Sequence, residues 1–369
     1  MSGAALEGVS IVDFSRVLAG PYATMMLADF GASVTKIERP GTGDETRAWA
    51  PPVDARGSST YFGSVNRNKR SVVADLTDEA DLARIRSLVE DADVVVENFR
   101  AGTMDRLGLG YETLREGNPG LVYCSITGFG SAGGAALPGF DLLVQAVGGL
   151  MSITGPRPGE PTKTGVAVVD VITGLHATTG ILTALFARER TGAGQRVEVD
   201  LLSSLLSALV NQASGYLGAG VVPGIIGNAH PSIAPYEVFA TADRPLVVAV
   251  GTDRQFRAFA EAIGEPSAAG DPRFATNTAR VAHRDELNTI ITARLATASA
   301  TDWFERMVAH DVPAGPINDL AQAFAFAERL GLAPVVEVDG SAQSANPIRL
   351  SATPATYRSG PPGLGSSPL

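Results

Sequence analysis

The sequence predicts an α/β protein: a Rossmann-like large domain built on a parallel sheet, followed by a smaller α+β domain. Two observations carry this. Strand-like and helix-like stretches alternate from residue 9 to residue 127, and a second cluster of short strands and helices occupies 235 to 310. Val9–Phe14 is a short β-prone run, and Pro21 suits the first turn of a helix carrying Tyr22 to Phe30, which Gly31 stops. Ser33–Glu38 reads as the next strand. Strand, helix, strand within about thirty residues is a βαβ unit, which implies a parallel sheet and a right-handed crossover. The pattern repeats with a strand at Ser71–Asp75, a helix at Glu79–Asp91, and strands at Val94–Glu97 and Leu121–Thr127.

The turn Ser15–Pro21 lacks the G-x-G-x-x-G that seats a pyrophosphate on a helix N-terminus, which argues against a bound dinucleotide. The Gly/Pro-rich piece 128–139 reads as an ordered surface loop. A long apolar helix is expected over Leu175–Arg190, stopped by Thr191-Gly-Ala-Gly194, and Arg196–Asp200 alternates as a strand. Leu201–Leu217 is a second apolar-rich helix and 218–227 a loop. The expected division is therefore 1–200 plus 335–369 as the large domain, 201–225 as linker, and 226–334 as the small domain with its return connection. In the latter, Pro235–Ala240 and Leu246–Val250 read as strands, Asp253–Ile263, Arg284–Leu295 and Thr301–His310 as helices, and Val312–Ile317 as a stiff connection. The tail from Asn346 is irregular, either wrapped on the surface or disordered.

Composition narrows the function classes. The 369 residues carry a net charge of −10 with no basic run, which excludes a broad nucleic-acid surface, although the local group Arg67, Lys69, Arg70 suits a phosphorylated ligand. The one cysteine, Cys124, forms no internal disulfide, and the four histidines lack metal-ligand spacing, so no metal is expected. The N-terminus has no basic segment followed by an apolar one, and no run approaches the roughly 18 apolar residues of a membrane span. A cytoplasmic protein without a membrane partner is the resulting expectation.

Within this frame Asp170 stands out. It sits in Gly165–Gly174, between apolar runs, and a carboxylate in such a place loses water on folding. An N-cap of the following helix and a functional carboxylate are both open readings of it.

Seven segments, in order, resemble the family III CoA-transferases, the group that includes formyl-CoA transferase, carnitine CoA-transferase and α-methylacyl-CoA racemase. They are Leu18–Pro21, Lys36–Asp44, Asn68–Ser71, Val96–Phe99, Pro161–Gly165 with Asp170, Thr191–Arg196 and Asp271–Phe274, and the resemblance they carry extends over nearly the whole chain. The resemblance implies that Asp170 is a nucleophile that moves CoA from an acyl-CoA donor to a carboxylic acid through an aspartyl anhydride and an aspartyl-CoA thioester. It implies CoA as a substrate rather than a tightly bound cofactor. It implies a CoA site made of Leu18, Ala19, Arg39, Ala74, Asp75, Leu76, Thr77, Asn98, Phe99, Arg100 and Arg106, and an acyl pocket involving Gly139, Phe140, Asp141, Asn228 and His230. It also implies an interlocked homodimer.

The chain departs from the family pattern in three places. Phe140 stands where the racemase branch has a histidine that exchanges the α-proton, and a hydrocarbon ring cannot. This favours transferase over 2-methylacyl-CoA racemase. Gly227–His230 begins like the glycine-rich lid of formyl-CoA transferase, but His230-Pro231 replaces the glycines. The tail is also shorter than in many relatives. A Rossmann dehydrogenase and a non-catalytic CoA-binding protein are the rivals from other classes.

Overall fold

The computed structural model describes residues 3–368; Met1 and Ser2, part of the N-terminus read above, and Leu369, the last of the tail, lie outside the described residues. The chain forms two compact units, Met1–Leu150 with Lys163–Val222 and Leu330–Leu369, and Met151–Thr162 with Pro223–Arg329.

The first unit is built on a six-stranded sheet. Its strands are β1 (Ser10–Asp13), β2 (Ser33–Glu38), β3 (Lys69–Val73), β4 (Val94–Glu97), β5 (Val122–Thr127) and β6 (Arg196–Asp200), in the order β3-β2-β1-β4-β5-β6. All pairings are parallel. The chain therefore starts in the middle of the sheet, winds outward through β3, and returns to the far side of β1 to continue through β4. Consecutive buried residues, Ile11 and Val12 in β1, Val94 to Val96 in β4 and Val122 to Cys124 in β5, are what a sheet covered on both faces requires. One face packs on the helices Ala19–Asp29 and Val168–Thr191, with Ala23, Leu27, Ala177 and Ile181 in the core; the other packs on the helix Glu79–Glu90 through Leu82, Ile85 and Val89.

The helix expected from Leu175 starts seven residues earlier, at Val168, so Asp170 lies in its first turn. Apolar periodicity locates a helix body but not its first turn, whose N–H groups are satisfied by whatever the fold brings near. Among the described residues this is the one helix long and apolar enough to cross a membrane; Val169, Ala177, Ile181 and Ala184 bury one side of it in the protein core. Residues 201–222, expected as linker and helix, belong to the first unit. They form two helices, Leu201–Ala208 and Val210–Ala219, and Leu201 and Leu205 enter its core.

Charge is also buried here. Arg67 pairs with Asp29 through Nη2 at 2.6 Å, and Lys69 with Asp13 at 3.2 Å. The expectation that Arg67, Lys69 and Arg70 greet a ligand is corrected: the first two are consumed inside, and exposed Arg70 donates to Thr35 Oγ1. The C-terminal tail is irregular but pinned. Asn68 donates to Thr356 O and Ser359 O, Arg358 donates to Ala28 O and Ala32 O, and Ser367 N–H reaches Ser71 O.

In the second unit β7 (Tyr236–Phe239), β8 (Leu246–Ala249) and β9 (Ala314–Pro316) form an antiparallel sheet in that order. The expected stiff connection at Val312–Ile317 thus contains a strand. Helices Asp253–Ala262, Arg284–Leu295 and Ala300–Ala309 pack on it around Phe256, Ile291 and Trp303. In the first unit, β10 (Val335–Val338) and β11 (Ser341–Ser344) form a hairpin that the sequence reading did not contain.

Gly174 lets the two helices on one face of the large sheet pack in close contact. A Cβ there would lie 2.7 Å from Ala19 O and 3.1 Å from a Tyr22 ring carbon. We expect Gly174→Ala to force the helices apart and lower the unfolding free energy by about 1–3 kcal/mol in urea denaturation; unchanged stability would mean the helices separate freely.

Candidate active site

The residues just past the C-terminal ends of β1, β4 and β5 enclose a cleft of about 420 Å³, beside the point where the strand order reverses. Open α/β sheets bind ligands at this place, because the loops diverge there in opposite directions. Leu18, Ala19, Asn98, Phe99, Arg100, Gly139, Phe140 and Asp170 all line it. A second cleft of about 220 Å³ lies past the ends of β2 and β3, lined by Arg39, Ala74, Asp75, Leu76 and Thr77. Arg16 and Phe99 border both clefts.

The first loop is held rigidly. Asp13, at the end of β1, accepts hydrogen bonds from Ser15 N–H (2.9 Å), Ser15 Oγ and Thr24 Oγ1 (2.6 Å) and pairs with Lys69. Lys36 Nζ donates to Ser15 O (2.7 Å) and pairs with Asp44 at 2.9 Å. Lys69 gives its other protons to Pro21 O and Asn66 Oδ1. Burial pulls the Lys69 ammonium down to about 8, and Asp13 resists part of that fall; the lysines in turn keep Asp13 below the usual carboxylate range despite its burial. Above this base Val17 adopts φ +69°, unusual for a β-branched residue, with its N–H facing the Asp44 carboxylate. Asn98 then clamps the next peptide edge, accepting from Arg16 N–H (2.9 Å) and donating to Arg16 O (2.7 Å).

Asp170 does not cap its helix. Ala167 holds the N-cap position and offers no side-chain acceptor, while Asp141, at the start of the helix Asp141–Val147, accepts from Val169 N–H (2.8 Å) and Asp170 N–H (3.3 Å). Asp141 Oδ2 takes a further hydrogen bond from Gln145 Nε2 (2.6 Å). A carboxylate borrowed from another helix thus satisfies the orphan donors and leaves Asp170 free to face the cleft. Burial, and then the charge of Asp141, push the Asp170 carboxyl up to about 7. The positive end of its own helix works in the opposite direction.

Asp141 itself does not line the cleft, since its oxygens are spent as a cap. Phe140 lines it with 63% exposure and is therefore not core. Gly128 and Gly139 approach so closely that a Cβ on either would fall within about 2.5 Å of the other's Cα, which closes the 128–139 loop. Arg39 donates from Nε to Gly43 O (3.0 Å) and pairs with Glu45 at 3.2 Å. Arg106 is exposed, hydrogen-bonds Thr103 Oγ1 and lines neither cleft. Asn228 and His230 belong to the second unit; Asn228 is exposed, and His230 Nδ1 accepts from Ser232 N–H (3.1 Å) with its ring 5.2 Å from that of Tyr236. Among the described residues no group of three His, Cys, Asp or Glu is placed to hold a metal ion.

Sequence reasoning missed Arg16, Glu45, Trp49 and Tyr61. Arg16, Glu45 and Trp49 line the first cleft; Tyr61 packs edge-on against Trp49 with ring centroids 4.9 Å apart. Burial raises the Tyr61 phenol, and the charges of Asp170, Asp141 and Asp44 raise it further, so its hydroxyl stays a neutral donor near the carboxylates. Arg16 neighbours the Leu18–Pro21 segment and Trp49 follows Lys36–Asp44, which is the only signal the sequence offers for them.

Over residues 6–367 the chain matches the pattern of CoA-transferase family III. The chain belongs to that family. It is a CoA-transferase, moving CoA from an acyl-CoA donor to a carboxylic acid acceptor. It is 45% identical to a succinate–glutarate CoA-transferase of Agrobacterium fabrum over 98% of this chain and 93% of that one. It is 40% identical to an acetyl-CoA:oxalate CoA-transferase of Acetobacter aceti over 94% and 89%. A solved structure of a CaiB/BaiF family protein from Brucella suis superimposes with a TM-score of 0.90 at 41% identity, covering 99% of this chain and 97% of that one.

The position of the Asp170 carboxyl has a consequence for stability. Its pKa in the folded protein lies above the unfolded value, so this group costs stability increasingly as pH rises from about 4 through 7. Asp170→Asn is expected to be more stable than wild type by up to about 4 kcal/mol at pH 8, with the gain fading towards pH 4. Chemical denaturation at the two pH values measures it, and a pH-independent difference would contradict the shift.

Proposed function

We propose that this family III CoA-transferase works through Asp170 as nucleophile and that its acids are short dicarboxylates. The observation that carries the first part is a half-buried carboxyl, pushed up to about 7, on the wall of a cleft at the sheet's switch point. The second part is supported by the relatives, named for succinate, glutarate and oxalate.

In this reading an Asp170 oxygen attacks the donor thioester carbonyl and CoA leaves as thiolate, giving a mixed anhydride. The thiolate then attacks the Asp170 carbonyl and expels the donor acid, leaving an aspartyl-CoA thioester. The acceptor carboxylate attacks that thioester, and the released thiolate attacks the acceptor's acyl carbonyl, restoring the Asp170 carboxylate. A carboxyl is required because it can carry CoA itself in activated form, which a serine ester cannot. A cleft that keeps water from these intermediates suppresses hydrolysis. Phe140 offers no proton-transfer group where racemisation needs one. Asp141 is assigned to positioning: it holds the first turn of the Asp170 helix and raises the basicity of the attacking oxygen.

The first unit serves as the CoA-binding part, with Arg39 on the nucleotide phosphates beside 74–77, and Arg106 as a further, peripheral phosphate partner. Asn228 and His230 are assigned to the acyl side. A homodimer, interlocked as in the resemblance, is supported by exposed apolar side chains on the first unit, including Phe186 at 65%, Leu217 at 80% and Val222 at 79%. The protein is proposed to be cytoplasmic, with CoA as a substrate and no tightly held cofactor.

Incubation with succinyl-CoA or acetyl-CoA and a pool of carboxylic acids, followed by mass spectrometry, tests the reading. New acyl-CoA thioesters are expected from the wild type, and Asp170→Asn is expected to lose kcat by about 1,000-fold or more. A mutant with wild-type turnover would remove Asp170 as the nucleophile. With the wild type, kcat/KM is expected to rise with pH to a plateau above an apparent pKa near 7, because attack needs the anion. Arg39→Ala should raise KM for acyl-CoA with little change in kcat, since a phosphate contact is made alike in ground and transition states.

A further inference from the structure

The first cleft contains two cationic side chains, Arg16 and Arg100, and they are held very differently. Arg100 is exposed and its side chain makes no hydrogen bond or ion pair among the described residues. Arg16 is fixed at every level. Asn98 clamps both polar groups of its backbone, Glu45 Oε1 takes Nη1 at 2.7 Å, and the guanidinium carbon lies 4.7 Å from the centroid of the Phe99 ring beneath it. The side chain is 31% exposed, and its Nε and Nη2 are left without a partner among the described residues.

A guanidinium with a fixed plane and unspent N–H groups is preorganised for a carboxylate, since little side-chain entropy remains to be lost. The surrounding charge makes the same point. Asp170 and Glu45 line this cleft, so a substrate carrying a second negative charge meets repulsion there unless a cation stands opposite it. Glu45 holds Arg16 and orients it, yet leaves it enough hydrogen-bonding capacity for an incoming anion. We infer that Arg16 is a specificity-determining residue, which binds the free, non-reacting carboxylate of a dicarboxylic substrate while the reacting carboxyl faces Asp170. This rests on the transferase reading through Asp170 and adds to it the residue that selects the acid.

Arg16 also borders the second cleft, so the competing role is a contact to the CoA phosphates. The two roles separate cleanly. Every acyl-CoA carries the same phosphates, so a phosphate contact affects all acids alike, whereas a carboxylate contact affects only acids that have a second carboxylate.

The experiment measures kcat/KM for glutarate and for butyrate as acceptors, with acetyl-CoA as the common donor, in wild type, Arg16→Gln and Arg16→Lys. The wild type is expected to prefer glutarate. In Arg16→Gln the glutarate-to-butyrate ratio should fall roughly 30-fold or more, as for the loss of a charge-assisted hydrogen-bonding pair. Arg16→Lys keeps the charge without the fork and should retain part of the ratio; it also keeps the test valid if the glutamine variant folds poorly. Glu45→Gln, which loosens the guanidinium, should raise KM for glutarate more than for butyrate. A parallel fall for both acids would assign Arg16 to the CoA phosphates, and an unchanged ratio would remove it from substrate recognition; either overturns the inference and leaves the Asp170 chemistry standing. A wild type that transfers CoA to neither of these nor to any other acid would overturn the transferase reading together with it.

Discussion

The site depends on two ion pairs sealed inside the large sheet. Asp13 with Lys69, and Lys36 with Asp44, are all fully buried, and each charge is further satisfied by backbone carbonyls, hydroxyls or amides. Such pairs add little net stability over apolar packing, but removing one partner costs about 3–5 kcal/mol because the other is stranded. What they supply is position. Lys36 on β2, Lys69 on β3 and Asp13 on β1 tie three neighbouring strands to the loop that follows β1, and Asp44 carries the constraint to the segment bearing Glu45 and Trp49. The loop can therefore hold Val17 in a left-handed conformation and present Arg16, Leu18 and Ala19 at fixed places.

The second constraint is the cost carried by Asp170. Burial and a neighbouring carboxylate both oppose its ionisation, and the helix N-terminus offsets them only in part. Asp141 is both the stabilising and the destabilising partner: it satisfies the helix N–H groups, and its charge raises the carboxyl beside it. In the proposed mechanism, stability is given up for a more basic oxygen on the wall of the cleft. This is the usual trade at a site whose strain is balanced by the rigidity of its surroundings. Here that rigidity comes from the sheet and from the close contact of helices at Gly174.

Much of this was legible in the residues. The strands Ser33–Glu38, Val94–Glu97 and Arg196–Asp200 fall where alternation and β-branching put them, and so does the βαβ order that makes the sheet parallel. Asp170 was conspicuous because a charge among apolar neighbours has few innocent explanations, and the seven ordered segments carried the family. The sequence by itself determined the local periodicity, the fold class and the family.

Only the tertiary structure decided the rest. It chose between cap and cleft for Asp170 by bringing Asp141 from 29 positions away to the helix start. It buried Arg67 and Lys69, which a linear reading offered to a ligand, and it brought Arg16, Glu45, Trp49 and Tyr61 to the site without any motif to announce them. It also drew residues 201–222 into the first unit as helices. The physical reason is common to all of these. Helix and strand formation depend on neighbours within a few positions, whereas desolvation, ion pairing and hydrogen-bond satisfaction depend on which distant groups the folded chain sets side by side.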